Sequence, residues 1–140
     1  MDQRISLVTL AVADIRRSRT FYVDGLGWQP HFEAPEVLML RAGEHLIFSL
    51  WVRDEFEQEV GAVAAGPGVA PVTLAHNVAS ADEVDAVLET ARRAGADPVF
   101  PAVERSWGGY SGYFADPDGY RWEVAWEPGA IGDLVVPHER

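Results

Sequence analysis

The two halves of this chain predict the same order of strands and helices. Each half starts with an apolar strand, continues into a helix that stops at a glycine, and ends in further strands. Corresponding residues lie at a nearly constant offset along the sequence. When Val12 is aligned with Val78, Gly27 falls close to Gly95 and Trp51 falls near Trp126. The offset indicates an internal repeat of one β-α-β-β-β unit. We therefore predict an α+β protein of two βαβββ modules, whose curved mixed sheet or half-barrels surround a cleft.

In the first half, we predict strands over residues 5–12, 28–32, 37–41 and 46–52, and a helix over 15–23. Asp14 is a plausible N-cap of that helix, and Gly25 or Gly27 ends it. Residues 54–61 are acidic and predict a short helix or a loop.

In the second half, we predict strands over residues 72–78, 97–100 and 113–115, a helix over 81–94, and a Gly-aromatic loop over 106–112. Ser80 or Asp82 caps the helix and Gly95 stops it. An Ala-, Gly- and Pro-rich stretch precedes this half and predicts a linker. The expected organisation is one domain over 1–140, with modules at about 4–55 and 71–127, linker 56–70 and tail 128–140.

The last predicted strand follows a tight turn. The Asp-Pro-Asp-Gly sequence at 116–119 combines capping carboxylates, a fixed φ and a glycine that tolerates positive φ. The strand then alternates, with one face formed by Trp122, Val124 and Trp126 and the other by Arg121, Glu123 and Ala125. We expect the aromatic face to lie in the core. Glu123 then lies mid-strand on the opposite face, where a carboxylate is solvated, paired or functional, because burying it alone is costly.

Charge and composition exclude several classes of partner. The formal net charge is -11, which disfavours nucleic acid because phosphates require an excess of basic residues. The chain has no cysteine, so disulfides and thiolate chemistry are excluded. No basic-then-apolar leader and no apolar run of membrane length are present, and we expect a cytoplasmic protein without membrane partners.

Two groups of motifs resemble the vicinal oxygen chelate superfamily, which contains glyoxalase I, bleomycin-resistance and extradiol dioxygenase proteins. The first half carries Leu10-Ala11-Val12-Ala13-Asp14, Ser18-Arg19-Thr20-Phe21-Tyr22 and Gly25-Leu26-Gly27-Trp28. The second half carries Val84-Asp85, Ala94-Gly95-Ala96 and the stretch from Asp116 to Glu123. The glycine loop at 107–113 is similar to small bacterial members described as glyoxalase-like. The resemblance implies a homodimer with the cleft near the interface.

The metal enzymes of this superfamily place His, Glu or Gln ligands at four positions, on the first and last strand of each module. In this chain the matching positions are Leu7, one residue among Ile47, Phe48 and Ser49, then Thr73, and Glu123. Leucine cannot coordinate a metal and threonine is a weak neutral ligand, so only Glu123 keeps a ligand-type side chain. Alternation places His76 on the helix-covered face as a buried or half-buried residue, and it is a minor metal candidate. We expect no divalent metal and no other cofactor.

Three functions remain open for such a cleft. The first is metal-independent binding of a small organic molecule, in which Glu123 pairs with a cationic group. The second is a metal-free isomerase, epimerase or lyase with Glu123 as the catalytic acid or base, while Arg121 pairs with Glu123 or holds a substrate carboxylate. The third is a metal enzyme of glyoxalase I or dioxygenase type whose ligands lie in another register.

We favour the first function. The expected ligand-binding residues are Thr9, Trp51, Thr73, Asn77, Trp107, Tyr110, Tyr113, Arg121 and Glu123. The glycines at 108, 109 and 112 then form a lid or allow the backbone to approach the ligand closely. The apolar tail residues 134–137 predict either an edge strand lying on the partner of a homodimer or a frayed end.

Overall fold

A computed structural model describes residues 1–138 and contains two compact units that divide between Pro67 and Gly68. Each unit holds one four-stranded mixed sheet, in which the strands lie in the order first, fourth, third, second along the chain of that unit. In each sheet the first strand of the unit pairs in parallel with the last, and the other pairings are antiparallel. The repeated βαβββ architecture and the α+β class predicted from the sequence are confirmed.

The first unit contains β1 (Leu7–Val12), α1 (Ile15–Arg19), a π-helical continuation (Thr20–Gly25), β2 (Pro30–Ala34), β3 (Val37–Arg41), β4 (Ile47–Val52) and α2 (Arg53–Glu59). Asp14 caps α1, since its Oδ1 accepts a hydrogen bond from the Arg16 N–H at 2.9 Å. The predicted helix therefore starts correctly but runs on to Gly25 as a π-helix. β2 begins two residues later than predicted, and the acidic segment is a helix.

The second unit contains β5 (Thr73–Asn77), α3 (Ala81–Arg93), β6 (Val99–Glu104), β7 (Tyr110–Ala115), β8 (Arg121–Trp126) and α4 (Ala130–Val135). Ser80 is the N-cap of α3, and its Oγ accepts a hydrogen bond from the Glu83 N–H at 3.3 Å. The Asp-Pro-Asp-Gly turn is confirmed, because Asp116 Oδ1 accepts the N–H groups of Asp118 and Tyr120 at 2.9 Å each.

The glycine loop is shorter than the sequence predicts. β6 and β7 form a hairpin in which Glu104 lies opposite Tyr110 and the Arg105 N–H donates to the Gly109 carbonyl at 2.8 Å. β7 is paired on both sides, so even its glycine takes part in the sheet. An added Cβ at Gly112 would lie 2.6 Å from both Leu88 Cδ1 and the Phe100 carbonyl oxygen. Gly112 is therefore a packing glycine rather than a hinge.

The C-terminal segment differs from both alternatives offered by the sequence. It forms the short helix α4 rather than an edge strand or a frayed end. Ile131 and Leu134 are 56% and 79% exposed. The last two residues of the predicted tail, 139 and 140, lie outside the described residues.

Each sheet buries the face that its helices cover. In the first unit, Tyr22 and Phe48 meet edge-to-face with ring centroids 5.3 Å apart. In the second unit, Val124 and the α3 residues Val84 and Ala91 are fully buried. Burial of each large apolar side chain contributes about 1.5–3 kcal/mol to the free energy of folding. The apolar face of each sheet therefore packs against the helices, and the opposite face remains open for function.

Within residues 1–138, no helix is long and apolar enough to cross a membrane.

Candidate functional site

The open face of the second sheet carries most of the predicted site residues. Glu123 in β8 lies opposite Tyr113 in β7, and Tyr113 lies opposite Phe100 in β6. Arg121 lies opposite Thr73 in β5. Gly112, one residue from Tyr113, faces Leu88 of α3, so Tyr113 and its row point away from the helix. Asn77, opposite Ala125, shares this open face. Thr73, Asn77, Tyr113, Arg121 and Glu123 are thus brought onto one surface.

Glu123 has a specific hydrogen-bond partner. The Tyr113 hydroxyl donates a short hydrogen bond to Glu123 Oε2. That bond, together with partial burial and the negative charge of Glu123, raises the pKa of Tyr113, while the positive charge of Arg105 opposes the shift. Of the two roles that the sequence leaves open for Arg121, pairing with Glu123 is not seen, because among the described residues Glu123 has no ion pair within 4 Å. Holding a substrate carboxylate stays a prediction.

Two arginines lie over aromatic rings on the same face. The Arg121 guanidinium lies 5.7 Å from the centroid of the Phe100 ring, and that of Arg105 lies 5.8 Å from the centroid of the Tyr113 ring. Arg105 is further fixed by hydrogen bonds from Nε to Ser111 Oγ at 2.9 Å and from Nη2 to the Ser111 carbonyl at 3.0 Å. These contacts hold each guanidinium against an aromatic ring, and within residues 1–138 neither arginine has a carboxylate within 4 Å.

A cavity of about 830 Å³ opens on this face. It is mainly apolar and is lined by residues of the second unit: Val69, Ala70, Pro71, Val72, Thr73, Phe100, Pro101, Val103, Arg105, Tyr113 and Arg121. Four of the apolar lining residues are strongly exposed, namely Val69, Val72, Phe100 and Val103. The cavity thus combines exposed apolar side chains with two cations and a phenol, which is the composition of a small-molecule site.

Sequence reasoning missed Arg105 and Phe100. The second predicted strand of the second half ends at Phe100, so the sequence assigns no face to the residues after it. A signal for the longer strand was present, since Val99, Ala102 and Val103 continue the apolar character up to Glu104.

Two predicted ligand-binding aromatics lie away from the cavity. The Tyr110 hydroxyl donates a hydrogen bond to Asp85 Oδ1 of α3 at 2.9 Å, on the helix-covered face. Trp107 lies in the hairpin turn, is 51% exposed and packs its ring against Gly109. Neither side chain lines the cavity.

The remaining predicted residues belong to the first unit. Thr9 lies opposite Ser49 and Trp51 lies opposite Ala11, which places both on the face opposite buried Phe48 and Leu50. The Trp51 ring meets Phe56 of α2 with centroids 6.2 Å apart. These two residues therefore share one face of their own sheet, where α2 contacts the Trp51 ring, and their role in ligand binding stays a prediction.

The four positions where relatives of this fold hold a metal provide a poor donor set here. The parallel pair Leu7–Ile47 in the first sheet corresponds to the pair Thr73–Arg121 in the second. Ser49 therefore occupies the position equivalent to Glu123. Ser49 is a buried neutral hydroxyl, and Glu123 already accepts a hydrogen bond from the Tyr113 hydroxyl. Within residues 1–138, no three His, Cys, Asp or Glu side chains cluster as a metal site. These donors do not fit a catalytic divalent metal.

His76 does not change this result. Its register opposite Val124 puts it on the helix side of the sheet, as alternation predicted. It is exposed rather than buried, because β5 is an edge strand of the sheet.

The model of the Glyoxalase/Bleomycin resistance protein/Dioxygenase superfamily matches residues 4–124. This chain belongs to that superfamily. Among solved structures, a glyoxalase-related enzyme from Fulvimarina pelagi is 34% identical, covers 90% of this chain and 89% of its own, and has a TM-score of 0.81. The recognition made from the sequence motifs is confirmed.

Other members of the superfamily share the architecture at lower identity. A glyoxalase/bleomycin resistance protein/dioxygenase from Nocardioides is 25% identical, with 93% and 90% of the two chains covered and a TM-score of 0.77. The lactoylglutathione lyase from Agrobacterium tumefaciens is 20% identical, with 90% and 95% covered and a TM-score of 0.69, which shows a common fold alone. Comparison with curated proteins found no match.

Proposed function

We propose that this superfamily member binds a small organic molecule in the cavity of its second unit without a catalytic metal. The observation that carries the proposal is the cavity itself. Its volume of about 830 Å³ falls in the range of ligand pockets, roughly 300–1,000 Å³, and its wall is apolar with a few fixed polar groups. A planar ligand would stack on Tyr113 and Phe100, while Thr73 and the arginines would supply the polar contacts.

The donor set supports the metal-independent form of the proposal. A catalytic ion needs several converging oxygen or nitrogen ligands together with an open position for substrate. Of the four superfamily positions, only Glu123 offers a charged ligand, and its carboxylate is engaged by Tyr113.

The test is a fragment screen followed by two-dimensional amide NMR on metal-depleted protein. We expect ligands that shift the amide signals of Thr73, Phe100, Tyr113 and Arg121, with the same affinity before and after treatment with EDTA. Elemental analysis of untagged protein is the matched control. Stoichiometric metal, with ligand binding lost on chelation, would refute metal independence. Perturbations confined to other surfaces would refute the cavity as the site.

The Tyr113–Glu123 hydrogen bond favours a second candidate function, a metal-free enzyme in which Glu123 acts as an acid or base. A carboxylate held by a hydrogen bond from a phenol can accept a proton from a bound substrate and return it. Glu123→Gln should abolish any such turnover while preserving ligand affinity within a few fold. Tyr113→Phe separates the roles, because it removes the hydrogen bond but keeps the ring. Turnover that survives Glu123→Gln would exclude this candidate.

Homodimerisation and a bacterial, cytoplasmic location stay predictions. Sedimentation equilibrium tests the first directly: a mass of twice 15.4 kDa is expected.

A further inference from the structure

We infer that the natural ligand of the cavity is an anion, an aromatic or aliphatic molecule that carries a carboxylate or similar group, held between Arg105 and Arg121. This inference rests on the proposed small-molecule function and specifies its ligand class. It differs from the sequence-based expectation, which paired a cationic ligand with Glu123.

The distribution of charge on the cavity wall is the first argument. Its only charged side chains are Arg105 and Arg121, and no Asp or Glu lines it. In a chain with a net charge of -11, two cations together without a facing carboxylate are unusual for a surface shaped by solubility alone.

Two other arginines of the same unit show the contrast. Arg92 and Arg93 both bind Glu89 on α3, at 2.6 and 3.0 Å. Within residues 1–138, neither Arg105 nor Arg121 has a carboxylate within 4 Å. Both are half-buried, so their charges are less screened by solvent than those of exposed arginines.

Geometry is the second argument. Tyr113 and Phe100 are directly opposite each other on β7 and β6, and each carries one guanidinium over its ring. The result is two adjacent aromatic faces bordered by two forked donors. An apolar ligand body fits against the rings and the exposed valines, while its anionic group accepts hydrogen bonds from the guanidinium N–H groups.

Glu123 is not a competing anchor for a cation. It is absent from the cavity wall, and one of its oxygens accepts the Tyr113 hydroxyl. Within residues 1–138, the other carboxylates lie more than 4 Å from both guanidiniums, and physiological salt screens exposed charges beyond about 8 Å. The nearby arginines therefore determine which charge the cavity prefers.

The experiment uses three probes that share one aromatic body and differ in charge: 2-naphthoate, 2-naphthalenemethanol and 2-naphthylmethylamine. Their affinities for the full chain are measured by isothermal titration calorimetry at neutral pH. We expect naphthoate to bind roughly tenfold or more tightly than the alcohol, and the amine to bind most weakly. Arg121→Gln should reduce naphthoate affinity by roughly tenfold and leave alcohol affinity within about twofold.

Matched variants test whether the loss of naphthoate affinity is specific to the two cavity arginines. Arg93→Gln removes an arginine of the same unit on the outer side of α3 and should change nothing. Arg121→Lys keeps the charge and should recover part of the affinity. Arg105→Gln gives a second measurement, with thermal unfolding as its folding control because Arg105 also binds Ser111.

Each other outcome overturns the inference. If the amine binds best and Glu123→Gln abolishes its binding, the ligand is a cation. If all three probes bind equally, the cavity selects shape alone. In both cases the proposed binding function survives. If no probe binds while the fragment screen still finds cavity ligands, only the anion preference fails. If Arg121→Gln changes the sedimentation mass and no probe binds, the face is occupied by a second copy of the chain.

Discussion

Gly112→Ala is the substitution that most directly links the packing of the second unit to its cavity. The added Cβ would lie 2.6 Å from the Phe100 carbonyl oxygen and 2.8 Å from the Ala102 amide nitrogen, both backbone atoms of β6. It would also lie 2.6 Å from Leu88 Cδ1, a side-chain atom that can move. Backbone contacts closer than 3 Å force β6 or β7 to shift, since neither can rotate away as a side chain does.

The expected magnitude follows from two opposing effects. Overpacking of a filled interior costs about 1–3 kcal/mol. Alanine restricts the unfolded chain relative to glycine and recovers about 0.5–1 kcal/mol where the backbone accepts it, as it does here because φ at Gly112 is not positive. We expect a net loss of about 1–2 kcal/mol in the free energy of unfolding. The shift of β6 should also displace Phe100 and weaken cavity ligands.

The assay is urea unfolding followed by tryptophan fluorescence, with Gly129→Ala as the matched control. At Gly129 the nearest atom to an added Cβ is a carboxylate oxygen 4.0 Å away, and the backbone is extended at φ -162°. The control should change stability by less than about 1 kcal/mol. A Gly112→Ala protein as stable as the wild type, with unchanged ligand affinity, would refute the close packing of β6 against β7.

Three further predictions concern individual contacts. Ser80→Ala removes the N-cap of α3 and should cost about 1 kcal/mol in urea unfolding, whereas Ser80→Asp should retain most of it. Arg92 and Arg93 lower the pKa of Glu89 to about 2 from an ordinary 4.5, so its stabilising effect is present above that ordinary pKa and lost as the pH falls towards 2; Glu89→Gln should therefore flatten the acid side of a Tm-against-pH curve, and an unchanged curve would contradict the pairing. The pKa of Tyr113 is raised above 10, so its stabilisation is present at neutral pH and lost as the alkaline pH passes the raised value; because Asp85 also raises the pKa of Tyr110, ultraviolet titration of Tyr113→Phe should lose one of two late-ionising phenols, and Glu123→Gln should bring the Tyr113 phenol back towards its ordinary pKa.

Local sequence signals determined most of the architecture. Asp14 and Ser80 are good N-caps at equivalent places of the repeat, and both cap helices in the structure. The Asp-Pro-Asp-Gly turn fixed the start of β8 and hence the face of Glu123. These features were predictable because capping and turn formation depend on side chains within a few residues of the backbone groups that they satisfy.

Prediction from the sequence failed where pairing between distant segments determines the structure. Glycines at 108, 109 and 112 predicted a loop, yet β7 starts at Tyr110 because β6 and β8 both supply hydrogen-bond partners. Tyr110 was assigned to the ligand site on local grounds, whereas the strand register turns it towards Asp85. The face that a strand residue occupies depends on its pairing partners in the sheet, which the local sequence around Tyr110 does not specify.

Pairing between distant strands also explains why Arg105 was missed. It explains as well why the expected ligand is a cation from the sequence and an anion from the structure. From sequence, Arg121 and Glu123 share one strand face, and pairing the cationic group of a ligand with Glu123 makes that carboxylate the expected anchor. Only the β6–β7 hairpin reveals that Arg105 reaches Tyr113 and that Tyr113 in turn engages Glu123. The Tyr113 hydroxyl binds Glu123, which does not line the cavity, whereas both arginines do. The anion preference proposed for this site therefore depends on the pairing between strands, which no single segment encodes.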